Sequence, residues 1–188
     1  MQKKSAEYQP PEGVETEAEP GSCGCVLRNS LGIQCKQEMD LLEVNALDAA
    51  QNASTMSLTS RTRFTARLLC RMHKDWPGGV YEWAGQYRTV DVSKGSFTWP
   101  PAALVPQNME NFQQGLLRTN TPCLPGPVPE VTHCIAEVHA ELLLIHPFRE
   151  GNGRLARWLA DLMALQVGPS YSIYGFVGEG ASNSGNAT

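Results

Sequence analysis

Residues 146–157, HPFREGNGRLAR, gather an imidazole, a carboxylate, two closely spaced glycines and two guanidinium groups. Arg154 and Arg157 stand directly behind Gly151-Asn152-Gly153, where the apolar spacing predicts the start of a helix. A helix amino terminus carries partial positive charge, so cations in its first turns are unfavourable until an anion completes the site. Glycines let a ligand approach the main chain, and first-turn N–H groups have no intrahelical partner, so Gly151 and Gly153 frame an anion cradle. Arginines three residues apart are neighbours on one helix face and can clamp the same group of oxygens. The pattern points to a polyphosphate. Glu150 is a hard oxygen ligand of the type magnesium takes, and magnesium commonly uses only one or two protein carboxylates. His146, four residues earlier, is the side-chain type suited to take a proton from a hydroxyl near neutral pH, and so is the candidate general base. Phe148 is expected to anchor the loop against the core. Each feature alone is commonplace in a turn or on a surface, and their concentration in one short stretch carries the reading. His133 and His139 are assigned no chemistry.

Several elements must position this stretch. The segment VTHCIAEVHAELLLIH, 131–146, reads as a central buried helix that Pro147 ends; RLARWLADLMALQV then resumes, with Leu155, Leu159, Leu162 and Met163 as one buried face, closed by Gly168 and Pro169. Upstream, 37–52 places Met39, Leu42, Ala46 and Ala49 on one helix face. A second helix is expected from Ser60 to His73, with Phe64, Leu68 and Met72 inward and Arg63, Arg67 and Arg71 on a solvated side. Tyr81 and Trp83 read as core aromatics. RTVDV at 88–92 alternates like a half-buried strand, and SFTW at 96–99 follows a turn over Ser93, Lys94 and Gly95, which makes a hairpin. Pro100 and Pro101 stop its second strand and leave an open edge able to accept another chain. A further helix is expected over Asn108 to Leu117. The class is all-α, with one short β-hairpin.

At 188 residues the chain holds one domain with a real core and short extensions. Its net charge of -4 argues against a general nucleic-acid binder, yet residues 61–157 carry eleven basic against eight acidic side chains and favour an anionic ligand. No apolar run approaches the roughly 20 residues needed to span a bilayer, and nothing behind the amino-terminal lysines resembles a leader, so a cytoplasmic location is expected. The six cysteines lack paired CxxC spacing; free thiols are expected, with Cys23, Cys25 and Cys35 as the remaining weak metal candidate. The divisions read as a flexible arm at 1–24, a helical segment at 25–59, the catalytic domain at 60–178 and a flexible tail at 179–188, the two ends being small, polar and poor in apolar side chains.

The central stretch resembles the Fic family signature HPFx(D/E)GNGRxxR at every specified position: His146, Pro147, Phe148, Glu150, Gly151, Asn152, Gly153, Arg154 and Arg157. VLRNSLGI at 26–33, GVYEWAGQYRTV at 79–90 and SKGSF at 93–97 are similar to the amino-terminal segment, aromatic stretch and flap of that family. The resemblance implies a Fic fold, a helical bundle with a β-hairpin flap over the active-site loop, and transfer of AMP from ATP to a Ser, Thr or Tyr hydroxyl of a target protein. It implies His146 as base, Glu150 as magnesium ligand, and the main chain at Gly151 and Gly153 with the Asn152 side chain as receivers of the α-phosphate. Arg154 and Arg157 would hold the outer phosphates, and Lys94, Gly95, Ser96 and Phe97 the docked target segment. Rival readings are another phosphate-containing donor and an idle interaction module; the joint presence of His146 and Glu150 speaks against the second.

Many members of the family silence themselves through a helix bearing (S/T)xxxE(G/N), whose Glu pairs with the second motif arginine. Glu12, Glu110, Glu150 and Glu179 precede Gly or Asn here, but Tyr8, Pro106, His146 and Gly175 stand four residues before them. No strict internal inhibitor stands in the sequence: either a small separate antitoxin protein offers its Glu to Arg157, or regulation differs, or the chain is truncated after residue 180. The resemblance implies a bacterial toxin or effector, with delivery through a specialised secretion system as a further expectation.

Overall fold

The computed structural model describes residues 17–168, and the expectations for 1–16 and 169–188 lie outside them. The elements run α1 (Lys36–Ser57), α2 (Ala66–Asp75), a hairpin of β1 (Ser93–Lys94) and β2 (Phe97–Thr98), a 3-10 turn at Ala102–Leu104, α3 (Val105–Phe112), a π turn at Gln113–Leu117, α4 (Arg118–Asn120), α5 (Val128–Ile145) and α6 (Asn152–Val167). The mostly helical class with one small sheet is the expected one.

α5 and α6 form the centre. Val138 and Leu142 of α5 and Leu155, Leu159 and Met163 of α6 are fully buried, and Leu69 of α2 with Val105 and Met109 of α3 close over them. All four apolar positions predicted for the inner face of α6 are buried. A second cluster, Val26, Met39, Val80, Tyr81, Trp83 and Ala84, fastens the amino-terminal segment, and the Ser30 amide donates to the Val80 carbonyl at 2.9 Å across it. Residues 17–28 fold back on themselves: Glu19 N–H donates to Val26 O and Arg28 N–H to Glu17 O, both at 2.8 Å.

Three expected elements differ in extent. α2 begins at Ala66, not Ser60, because Thr59 and Thr62 spend their hydroxyls on a local turn, with Thr59 N–H donating to Thr62 Oγ1 at 3.0 Å. Thr65 then caps the helix, its side chain accepting from Leu68 N–H at 3.1 Å. The hairpin ladder is shorter and shifted: Ser93 pairs with Thr98 and Lys94 with Phe97, so the turn is Gly95-Ser96, with Gly95 at φ +61°. RTVDV does not enter the ladder, because Arg88 N–H donates instead to Pro147 O at 2.9 Å. The helix predicted at 108–117 extends from Val105 through Asn120 with a π turn inside it. On α1 the buried side is Met39, Glu43 and Ala50, with Ala49 exposed. Cys23, Cys25 and Cys35 are exposed free thiols, Cys25 Sγ donating to Ser22 O at 2.7 Å, and they do not assemble as a ligand set among the described residues. No described helix is long and apolar enough to cross a membrane.

His73 joins α2 to the loop between α5 and α6. Its ring is fully buried and stacked on Phe148 with centroids 3.9 Å apart and planes 5° from parallel. Gly85 N–H can only donate, and it lies 2.8 Å from Nδ1; the proton therefore sits on Nε2, which donates to Glu150 O at 3.0 Å. Burial first, then the nearby Arg154 charge, lower its pKa to about 4. The unfolded chain binds this proton near pH 6.5 and the folded chain does not, so stability rises with pH between these values. We expect acidification from pH 6.5 to 4 to remove about 3 kcal/mol through this residue. Urea unfolding at several pH values should show a shallower acid dependence in His73→Gln than in the wild type; equal slopes would contradict the assignment.

Candidate active site

The site is the six-residue return from α5 to α6. His146 ends α5 in the left-handed region, φ +52° and ψ 59°, with its N–H still donating to Leu142 O at 3.0 Å. That conformation turns the chain sharply and costs a non-glycine residue about 1 kcal/mol or more, so outside contacts must hold it. Arg88 supplies them. Its buried guanidinium donates from Nε to His146 O at 2.7 Å, from Nη1 to Val90 O at 2.9 Å and from Nη2 to Pro100 O at 2.5 Å. One side chain thus ties the His146 turn to both ends of the hairpin.

The imidazole of His146 is half-buried. Nδ1 lies 3.3 Å from Leu143 O, an acceptor, so Nδ1 carries the proton and Nε2 keeps its lone pair. Burial, more than the Arg88 charge, lowers its pKa, against the opposing pull of the Leu143 carbonyl and Glu150. The neutral, proton-accepting form is therefore the one present at neutral pH. The Trp99 indole stacks on this ring at 3.9 Å between centroids.

Asn152 closes the loop on itself. It is 2% exposed; Oδ1 accepts from Phe148 N–H at 2.9 Å and Nδ2 donates to Phe148 O at 2.7 Å. Its amide thus faces loop backbone. Phe148 is fully buried, as its anchor reading requires. Gly151 has φ +82°, and a Cβ there would lie 2.5 Å from the Trp76 ring, so both conformation and space require glycine. Glu150 projects an exposed carboxylate whose Oε1 accepts from Gly151 N–H at 3.0 Å and from Arg154 Nη2 at 3.3 Å.

The two arginines are placed differently. Arg154 donates from Nη1 to Glu43 Oε2 at 2.6 Å and lies 4.3 Å over the Trp76 ring. Glu43 also accepts from the Tyr81 hydroxyl at 2.7 Å, and its carbonyl accepts from Trp76 Nε1 at 2.9 Å. Burial and then Glu43 push the Tyr81 phenol up, so it remains a donor. Arg157 is exposed, and no carboxylate lies within ion-pair distance of it among the described residues. His146, Glu150, Gly151, Gly153, Arg154 and Arg157 share one loop and helix start, while Lys94, Gly95, Ser96 and Phe97 are exposed on the hairpin that reaches the loop through Trp99.

Glu43, His73, Trp76, Arg88 and Trp99 are the supporting residues that reading for chemistry alone passed over. Signals existed: Glu43 lies within the predicted apolar stripe of α1, and Arg88 shares its alternation parity with Val90 and Val92. A charge on an inward-facing position is retained only when paired.

The family model described as Fic/DOC family matches residues 63–164. The chain is 30% identical over 157 residues to the probable protein adenylyltransferase Fic of Salmonella typhimurium, covering 82% of this chain and 75% of that protein. It is 31% identical over 145 residues to protein adenylyltransferase VbhT of Bartonella schoenbuchensis, covering 76% of this chain but 30% of that longer protein. Among solved structures, the amino-terminal Fic domain of an effector from Bartonella sp. AR 15-3 aligns with a TM-score of 0.72 at 19% identity, covering 86% of this chain and 77% of that one. BepC of Bartonella tribocorum, solved with bound AMPPNP, aligns with a TM-score of 0.66 at 17% identity, covering 75% of this chain and 73% of that one. Those structural likenesses carry the fold alone. With over half its residues under the family model and a relative at 30% identity covered along most of both chains, the chain belongs to the Fic/DOC family.

Proposed function

We propose that this chain transfers AMP from ATP to a hydroxyl of a target protein and releases pyrophosphate. The observation that carries the reading is the neutral His146 beside a loop whose glycine backbone and flanking arginines suit a polyphosphate. Relatives named protein adenylyltransferase support it.

His146 Nε2 takes the proton of the target Ser, Thr or Tyr hydroxyl. The hydroxyl oxygen bonds to the α-phosphorus as the bond from that phosphorus to the bridging oxygen breaks, and the electron pair leaves with pyrophosphate. The imidazolium then returns its proton to solvent. Main-chain N–H groups around Gly151 and Gly153 receive the α-phosphate oxygens, with Asn152 holding the loop's shape. Arg154 and Arg157 face the outer phosphates. The exposed hairpin at Lys94–Phe97 offers an edge for an extended target segment.

Glu150 fits a magnesium ion in the sense that its carboxylate is exposed and lies beside the cradle, where one carboxylate with substrate oxygens and water completes the usual coordination. The ion would neutralise phosphate charge. The exposed Arg157 suits a carboxylate supplied by a separate small antitoxin protein, and ATP supply places the activity in a cytoplasm, that of the producing cell or of one into which the protein is delivered.

With magnesium, a cell lysate and α-labelled ATP, wild type should label protein and His146→Ala should label at least a hundredfold more slowly. Equal labelling by both forms, or label from γ-labelled ATP, would overturn the reading. The rate should fall on the acid side with a midpoint below pH 6.5, because the folded pKa of His146 is lowered; a midpoint above 6.5 would contradict the base assignment. Gly151→Ala should abolish transfer and lower the unfolding temperature, as its Cβ meets Trp76.

A further inference from the structure

Trp99 follows β2 at the foot of the hairpin and makes two contacts at the end of α5. Its indole stacks on His146 with centroids 3.9 Å apart and planes 29° from parallel. Its Nε1–H donates to Leu143 O at 2.9 Å, the same carbonyl that accepts from His146 Nδ1 at 3.3 Å. A carbonyl oxygen has two lone pairs, so both donors can be satisfied together.

The hairpin fixes Trp99 in turn. Its N–H donates to Val92 O at 3.2 Å, and Phe97 meets its ring edge-on at 5.0 Å. The next residue's carbonyl, Pro100 O, accepts from the Arg88 guanidinium, which also holds His146 O. Ring and backbone of His146 are therefore secured by neighbouring parts of the same segment.

This support answers a specific need. His146 lies beyond the last helical residue in a left-handed conformation, so helix packing does not set its ring orientation. An imidazole serves as a base only while the correct nitrogen keeps its lone pair and faces the hydroxyl. A stacked indole covers a ring face and leaves the ring edges, where the nitrogens lie, for chemistry.

We propose that Trp99 is a positioning residue for His146, holding the imidazole by stacking and by sharing the Leu143 carbonyl so that Nδ1 keeps the proton and Nε2 is presented as the base. The inference rests on the reading of His146 as base. It makes the hairpin part of the machinery that orients the proton acceptor as well as a border for the target.

The test compares full-length wild type, Trp99→Ala, Trp99→Phe and His146→Ala. At pH 7.5, nitrogen NMR of the histidine rings should show His146 as the Nδ1–H tautomer in wild type. Trp99→Ala should give a tautomer mixture and move the His146 carbon-bound ring protons downfield as the indole ring current is lost. At saturating ATP, Trp99→Ala should lower the initial rate of AMP incorporation from α-labelled ATP about 10- to 100-fold, with the half-saturating ATP concentration within about threefold of wild type. Trp99→Phe, which keeps a stacking ring but not the N–H, should fall between. If Trp99→Ala is too unstable, Trp99→Phe carries the test, with a partial tautomer shift and a rate loss expected. Unchanged His146 resonances, or a rate within twofold of wild type in the folded variants, would overturn the proposal. Full activity in His146→Ala would instead overturn the base reading, while the ring-current measurement judges the contact separately.

Discussion

A guanidinium at the positive end of α6 is the constraint around which the site is arranged. Arg154 lies in the first turn, where the helix dipole opposes it, and it is only 28% exposed. The chain resolves this with Glu43, 111 residues earlier on α1 and itself only 9% exposed. The pair is bounded by the Trp76 face and by the Tyr81 hydroxyl on the second Glu43 oxygen. A partly buried pair of this kind is costly to break because either charge left alone is desolvated. That cost makes α1 and the aromatic stretch structural parts of the candidate site at the start of α6. Two segments far from α6 in sequence, α1 and the stretch from Trp76 to Tyr81, are thereby fixed to its start.

The same pair divides the work of the two motif arginines. Arg154 is held between Glu43, Glu150 and Trp76, so its orientation is set before any ligand arrives, and the entropy of immobilising it is already spent. Arg157 lies one turn further along, exposed. Its positive charge is open to solvent. Preorganisation at one arginine and accessibility at the next follow from which of them faces α1.

The periodic helices were legible because apolar spacing alone determines which face is buried: Leu155, Leu159, Leu162 and Met163 lie where their spacing places them. The candidate site residues of 146–157 stand out in the sequence because they are contiguous. Boundaries were less so, since the Thr59–Thr62 turn and the Arg88 hydrogen bonds are side-chain choices that periodicity does not encode. On α1 the spacing places Met39, Leu42 and Ala46 against the core, but it does not reveal Glu43, because hydrophobicity says nothing of a carboxylate whose partner lies on another helix. Asn152 shows the limit from the other side: its amide could face a ligand or the loop, and only the fold shows it bonded to Phe148.

The loop's inward contacts also determine what it shows outward. His73 takes Glu150 O and Arg88 takes His146 O, both from the protein side. A trans peptide sets its N–H opposite to its carbonyl, so drawing the Glu150 carbonyl inward turns the Gly151 N–H outward. That outward N–H meets an anionic oxygen already, Glu150 Oε1 at 3.0 Å, and the same oxygen accepts from Arg154 at 3.3 Å. One carboxylate oxygen thus bridges a main-chain donor and a guanidinium, the two donor types a phosphate oxygen requires.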